Sequence, residues 1–146
     1  MRAHLAALAA ERGKQEQFSA LAEEVADMFA SMSTPAEYLI HDLMFHRIVS
    51  QASGNPILAA IIETITSALY DTRRKTVERS TDMRESAEMH REIYRAIRAR
   101  KPKEAHNLME QHLRMAQIAQ GMERPTGRKR ASTASKKKYV RAESAA

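Results

Sequence analysis

The chain has no cysteine and no tryptophan among its 146 residues, and it has only four glycines and four prolines. Without cysteine there is neither a disulfide scaffold nor a thiolate metal site, so any metal must bind histidine and carboxylate ligands. Few helix breakers and an apolar fraction of 43% rich in Ala, Leu, Ile and Met are typical of an all-α protein. No apolar run reaches the roughly 20 residues that span a bilayer, and no secretion signal is evident. We therefore expect a soluble cytoplasmic protein without a membrane partner.

The net charge of +6 is carried by the C-terminal tail. Of the 24 basic and 18 acidic residues, eight and two lie in residues 123–146, and the remaining 16 of each sign leave residues 1–122 neutral. The tail is rich in Ser, Lys and Arg and has no periodicity, so we expect a disordered basic segment after a helical domain of residues 1–122. Such a tail either contacts nucleic acid non-specifically through phosphates or only improves solubility.

Hydrophobic periodicity predicts about six helices, which would form an antiparallel bundle. The third helix has clear start signals, with Thr34 as N-cap, Pro35 at the first position and Glu37 closing a capping box. Asn55-Pro56 begins a fourth helix that we expect to continue to about residue 79. The other helices are predicted at residues 2–12, at 14–32, around 87–100 and at 103–120.

Four polar residues fall on the apolar faces of the predicted helices. Asp42 and His46 are one turn apart on the third helix, beside Phe45. Two further histidines share their faces with apolar residues three, four or seven positions away: His90 and His112.

A single inward histidine is commonly a hydrogen-bonded core residue, and Asp42 could simply pair with one of them. Three inward histidines and an inward aspartate are harder to explain without a ligand, because burying an uncompensated carboxylate costs several kcal/mol. One carboxylate and three imidazoles suit Zn, Ni, Mn, Fe or Co. The spacing therefore leaves two interpretations open, a divalent metal site and a metal-free polar network.

Two segments, DLMFHRIVSQASGNPIL and MHREIYRAIRARKPKEAHNLMEQHL, resemble the C-terminal effector (FCD) domain of GntR-type transcription regulators of the FadR subgroup. The shared pattern is Asp-x3-His, then Gly-Asn-Pro, then a histidine that opens the next segment and a histidine in the closing His-Leu. The resemblance implies an all-α bundle that forms a homodimer and holds a divalent metal, zinc in the first place. By position, the implied metal ligands are Asp42, His46, His90 and His112.

In regulators of this family, a small carboxylate effector binds at or beside the metal and alters DNA binding by an attached winged helix. The resemblance implies that a basic residue after Gly-Asn-Pro, Arg73 or Arg74, holds the effector, unless these arginines form an exposed charge cluster. Arg73 is preferred, because it follows Ile62, Thr66 and Leu69 at helical spacing. Ser50 and Asn55 are candidates for lining the effector pocket, or they serve only packing and helix capping.

The departure from the family is at the N-terminus, where the chain begins inside the effector domain without a winged helix. We expect an excised domain or a truncated product, so that DNA would be contacted only through a winged helix absent from this chain. The expected function is ligand sensing and dimerisation, not catalysis. The alternatives are a helical metalloenzyme acting on a small carboxylate, with Glu63 or Glu88 as general base, and a metal-free dimerisation module.

Overall fold

The computed structural model of the protein describes residues 1–79 and 83–121. Within these residues the chain forms seven α-helices and no strand, which confirms the predicted all-α bundle. None of the described helices combines the length and the apolar character needed to cross a membrane. The predicted disordered tail lies outside the described residues. The helices are α1 (Arg2–Arg12), α2 (Gln15–Ala30), α3 (Pro35–Ala52), α4 (Pro56–Ala68), α5 (Tyr70–Arg79), α6 (Met83–Arg98) and α7 (Pro102–Ala119).

Prolines mark the starts of α3, α4 and α7, because proline needs no hydrogen-bond acceptor at the first helical position. Asn55 caps α4, where its Oδ1 accepts a hydrogen bond of 3.1 Å from the backbone N–H of Leu58. Thr34 is the N-cap of α3, but its side chain makes no capping hydrogen bond. The predicted capping box of Thr34 and Glu37 is therefore wrong, and the fixed φ of Pro35 is the remaining local signal for this helix start.

The predicted fourth helix is divided in two at Leu69, whose φ of −97° and ψ of 7° end α4. Neither glycine nor proline lies at the break, so the local sequence does not signal it. After the break, α5 packs against α3 and brings Arg73 to the buried Asp42.

The core lies among α1, α2, α3, α6 and α7. Helix α1 packs against α7, α3 and α6, and α2 packs against α3 and α6. Three alanines on α1 are completely buried, so this helix can approach its neighbours closely: Ala6, Ala9 and Ala10. The largest fully buried side chains include Leu21, Met28, Tyr38, Leu39, Phe45, Ile93, Ile97 and Met109.

Helix α4 packs against the outside of α3 and is only partly covered. Ile62 is its only buried residue, whereas Ile57, Ile61 and Ile65 are 74%, 45% and 39% exposed. Large exposed apolar faces of this kind are uncommon on monomers and mark interaction surfaces.

Candidate metal centre

The structure brings the four sequence-predicted polar residues together at the centre of the bundle. Asp42 and His46 come from α3, His90 from α6 and His112 from α7, and all four are buried. Their potential ligand atoms all lie within 4.8 Å of one another. The cluster therefore joins three helices that are far apart in the sequence.

Short distances show that the side chains converge on one point. Oδ1 of Asp42 lies 2.9 Å from Nε2 of His90 and 3.7 Å from Nε2 of His46. Nε2 of His46 lies 3.4 Å from Nε2 of His90 and 3.3 Å from Nε2 of His112. Each of the three imidazoles thus presents the same ring nitrogen to the cluster.

Neighbouring groups hold the rings in this orientation. Nδ1 of His90 donates a hydrogen bond of 2.7 Å to the carbonyl oxygen of Ser86, one turn earlier on α6. The ring of Phe45, which is fully buried, packs edge-on against His46 and His90 with centroid distances of 5.7 and 4.9 Å. A carbonyl partner on the outer nitrogen is the usual arrangement behind a metal-binding histidine.

The electrostatics favour an ionised carboxylate at Asp42 beside neutral imidazoles at His46 and His112. Burial alone would raise the pKa of Asp42, but the positive charge of Arg73 and a hydrogen bond from His90 hold this pKa well below its usual range. Burial lowers the pKa of His46 and of His112 well below the usual value. Neutral imidazoles and ionised carboxylates are the forms that bind metal ions.

The donor set fits a divalent transition metal. With Zn–N bonds of about 2.0–2.1 Å, tetrahedral ligand atoms are roughly 3.3–3.4 Å apart. Two of the observed distances between ring nitrogens are 3.3 and 3.4 Å.

Of the two candidate arginines, only Arg73 reaches the cluster. Its guanidinium contacts Oδ2 of Asp42, the carboxylate oxygen not directed at the histidines, and its side chain is 14% exposed. Arg74 pairs instead with Glu78 at 2.8 Å and is 44% exposed. The break before α5 thus places one arginine at the site and its neighbour at the surface.

Ser50 and Asn55 act on the backbone around the site. The buried hydroxyl of Ser50 donates a hydrogen bond of 2.9 Å to the carbonyl oxygen of His46. Asn55 caps α4, and its side-chain oxygen accepts from Leu58. These contacts are those of packing and capping, and a role of Ser50 or Asn55 in effector binding stays a prediction.

Two residues that sequence reasoning did not select also lie at the site, Arg2 and Tyr38. Arg2 donates a hydrogen bond of 2.8 Å to Oγ1 of Thr66 and lines a narrow gap beside His46. Burial and the nearby charge of Arg73 lower the pKa of Arg2, so the two guanidinium groups approach the same region. Helical phase could have indicated Arg2, since it precedes the buried Leu5 by three positions.

A cavity of about 160 Å³ lies beside the cluster. Its lining includes Tyr38, Asp42, Arg73, Thr76, Ser86 and His112. It is smaller than the roughly 300–1,000 Å³ of pockets that hold drug-sized ligands. A larger groove of about 380 Å³ between α3 and α4 is lined by none of the four potential ligands.

A second group of potential ligands, Glu24, Asp27 and His41, lies on the surface between α2 and α3. Nδ1 of His41 is 2.8 Å from Oε2 of Glu24 and 3.9 Å from Oδ2 of Asp27. These side chains are partly exposed and already paired with one another, as in an ordinary surface ion pair.

The two glutamates considered as catalytic bases are also paired at the surface. Glu63 contacts Arg47 at 3.2 Å, and Glu88 contacts Arg91. Neither belongs to the buried group of potential ligands.

Comparison with known proteins identifies the family. The FCD domain family matches residues 2–115. The chain is 32% identical over 123 residues to the uncharacterized HTH-type transcriptional regulator YcbG of Bacillus subtilis, covering 82% of this chain and 50% of that protein. It is 32% identical over 108 residues to the HTH-type transcriptional repressor NanR of Klebsiella aerogenes, covering 73% and 42%. The chain thus spans half or less of the length of these curated relatives.

Solved structures agree with this match. Streptococcus agalactiae GntR superimposes with a TM-score of 0.67 at 25% identity, covering 83% of this chain and 54% of that one. E. coli McbR/YncC superimposes with a TM-score of 0.73 at 16% identity, covering 82% and 58%, which shows a shared fold. The family match includes every residue of the buried cluster, and this chain belongs to the FCD domain family of GntR-type transcription regulators.

Proposed function

We propose that this domain is a metal-containing sensor of a small organic acid. The proposed ligands of a divalent cation, zinc in the first place, are Asp42, His46, His90 and His112. The observation that carries this proposal is the convergence of four buried donors from three helices within 4.8 Å. When bound, the cation supplies the positive charge that attracts a carboxylate ligand.

The chain's own residues shape the acid site. Arg73 lies at the cavity with one face on Asp42, and its remaining N–H groups can hold a ligand carboxylate. Arg2 adds a second positive charge in the same region. The cavity volume of about 160 Å³ favours a short acid.

Ligand binding is proposed to act on α5. This helix contributes Arg73, Thr76 and Val77 to the cavity lining and packs on α3. An acid that binds Arg73 would change how α5 is held, and in a longer protein this change would reach an attached winged helix. DNA binding through such a domain, and non-specific contacts by residues 123–146, remain predictions.

A homodimer is also proposed, with the exposed face of α4 as the contact. Ile57, Ile61 and Ile65 are one turn apart and form an apolar stripe that the described part of the chain leaves uncovered. A second copy would remove this stripe from water, and a two-fold arrangement would pair the stripe with itself.

Metal content after zinc loading tests the central proposal. The wild-type chain is expected to retain about one zinc ion after desalting, and His112→Ala is expected to lose most of it, because one of four ligands is removed. His106→Ala is the matched control, since it removes a histidine from the same helix outside the cluster. His41→Ala is a second control, because it removes the histidine of the surface group formed with Glu24 and Asp27, and it is likewise expected to retain the zinc.

Two outcomes would contradict the metal site. One is zinc content below about 0.2 per chain in the wild type, and the other is equal retention by His112→Ala and His106→Ala. Either result would favour the metal-free dimerisation module.

A sensor and an enzyme differ in what happens to the acid. A sensor raises its melting temperature with the acid and returns the compound intact, as ligand linkage requires. The surface pairing of Glu63 and Glu88 favours the sensor, and measured turnover of a candidate acid would contradict it.

A further inference from the structure

The hydroxyl of Tyr38 is a buried donor for which the described residues provide no partner. Tyr38 lies on α3 one turn before Asp42, and its side chain is 1% exposed. In the part of the chain that the structure describes, its hydroxyl makes no hydrogen bond. Burial removes such a hydroxyl from water, and without a new hydrogen bond the cost of desolvation is not compensated. Buried hydroxyls of this kind therefore need an explanation.

The position of this hydroxyl relates it to a ligand. Tyr38 lines the same cavity as Asp42, Arg73 and His112. Burial raises the pKa of Tyr38 well above its usual value, and the nearby Ser86 side chain lowers this pKa only in part. The two side chains do not meet the geometry of a hydrogen bond. The hydroxyl is therefore protonated at neutral pH and available as a donor.

The position of Arg73 predicts where the carboxylate of a ligand lies in the cavity. The positive charge of Arg73 lies beside Asp42, so a ligand carboxylate is expected to bind next to this arginine. Tyr38 lines the same cavity and precedes Asp42 by one helical turn on α3, so a single short ligand can contact both Arg73 and Tyr38.

We propose that Tyr38 is the specificity-determining donor of this cavity and that the ligand is a short acid with a second oxygen acceptor, such as a hydroxy acid. The inference rests on the proposed function, because it needs an acid held beside Asp42 and Arg73. An acid without that oxygen would leave the Tyr38 hydroxyl unpaired, and sites built around a buried donor reject such analogues strongly.

Matched pairs of acids test this inference on the zinc-loaded 146-residue chain. Calorimetry would compare lactate with propionate and malate with succinate. In at least one pair the wild type is expected to bind the hydroxylated acid at least about tenfold more tightly. Tyr38→Phe keeps the ring and removes only the hydroxyl, and it is expected to reduce that ratio to about threefold or less. Tyr70→Phe, which removes the hydroxyl of a tyrosine 40% exposed, is expected to leave the ratio unchanged.

A second measurement needs no ligand and no metal. Because the hydroxyl has no partner to lose, the unfolding midpoint of metal-free Tyr38→Phe is expected to equal or exceed that of the wild type. A midpoint lowered by more than about 2 °C would show that the hydroxyl already has a structural partner, which would overturn the inference.

The outcomes separate the two proposals. If the wild type binds zinc but none of the four acids, acid sensing fails and the role of Tyr38 fails with it. If acids bind but show no preference for the hydroxyl, or if Tyr38→Phe keeps the preference, only the role of Tyr38 is overturned.

Discussion

The pairing of Arg73 with Asp42 predicts that the metal-free protein depends strongly on this arginine. Asp42 is 3% exposed, and its Oδ2 contacts the positively charged guanidinium of Arg73. Removing one partner of a buried ion pair costs about 3–5 kcal/mol, because the other charge stays buried. Here Asp42 retains His90 at 2.9 Å, so Arg73→Met is expected to destabilise the metal-free chain by about 2–3 kcal/mol.

The assay is urea unfolding followed by far-UV circular dichroism, with and without zinc. A loss of 2–3 kcal/mol corresponds to a decrease in melting temperature of roughly 10 °C for a domain of this size. Zinc is expected to reduce the loss to less than about half, because the cation would compensate the charge of Asp42 instead. Arg74→Met is the matched control, and it is expected to change stability by less than about 0.5 kcal/mol because Arg74 is exposed.

A double-mutant cycle assigns the effect to the pair. In an Asp42→Asn background no carboxylate charge remains, so Arg73→Met is expected to cost less than about 1 kcal/mol. The reasoning would be refuted by a loss below about 0.5 kcal/mol for metal-free Arg73→Met, or by an equal loss in both backgrounds.

Two further predictions concern the dimer and the turn before α4. Ile61→Glu places a charge in the exposed apolar stripe, so light scattering is expected to show a monomer in place of the dimer. Glu63→Gln on the same helix is expected to leave the mass unchanged, and a monomeric wild type would contradict the proposed dimer. Gly54 has φ of +67°, so Gly54→Ala is expected to lower the free energy of unfolding by about 1–2 kcal/mol. Gly121 has φ of +70°, so Gly121→Ala carries the same backbone strain, and it is expected to cost less only because it lies at a helix end that can open locally. An unchanged free energy of unfolding for Gly54→Ala would argue against backbone strain at Gly54.

Helical phase was sufficient to select the buried polar cluster. Asp42, His46, His90 and His112 each occupy an apolar face, and each is buried in the structure. Local chemistry also located the beginning of α4, where Asn55 caps the helix. The divided fourth helix was not predictable in this way, because no breaker lies at Leu69.

The residues around the cluster were less accessible to sequence reasoning. Helical spacing favoured Arg73 over the adjacent Arg74, but the contact of Arg73 with Asp42 and of Arg74 with Glu78 appears only when α5 packs against α3. The sequence analysis did not select Tyr38, whose significance lies in a hydroxyl that finds no partner among the described residues. Whether a buried polar atom finds a hydrogen-bond partner depends on the positions of neighbouring helices. Those positions cannot be predicted from the spacing of residues along one helix.

The sequence by itself therefore determined that the chain is helical, where most helices begin, and which four polar side chains point inward. These properties follow from interactions within a few turns of one helix. Only the tertiary structure decided that the four donors meet at one point, that Arg73 and not Arg74 joins them, and that a small cavity with a free tyrosine hydroxyl lies beside them. Those outcomes depend on how distant helices pack, because α3, α6 and α7 reach the cluster from positions as many as 66 residues apart.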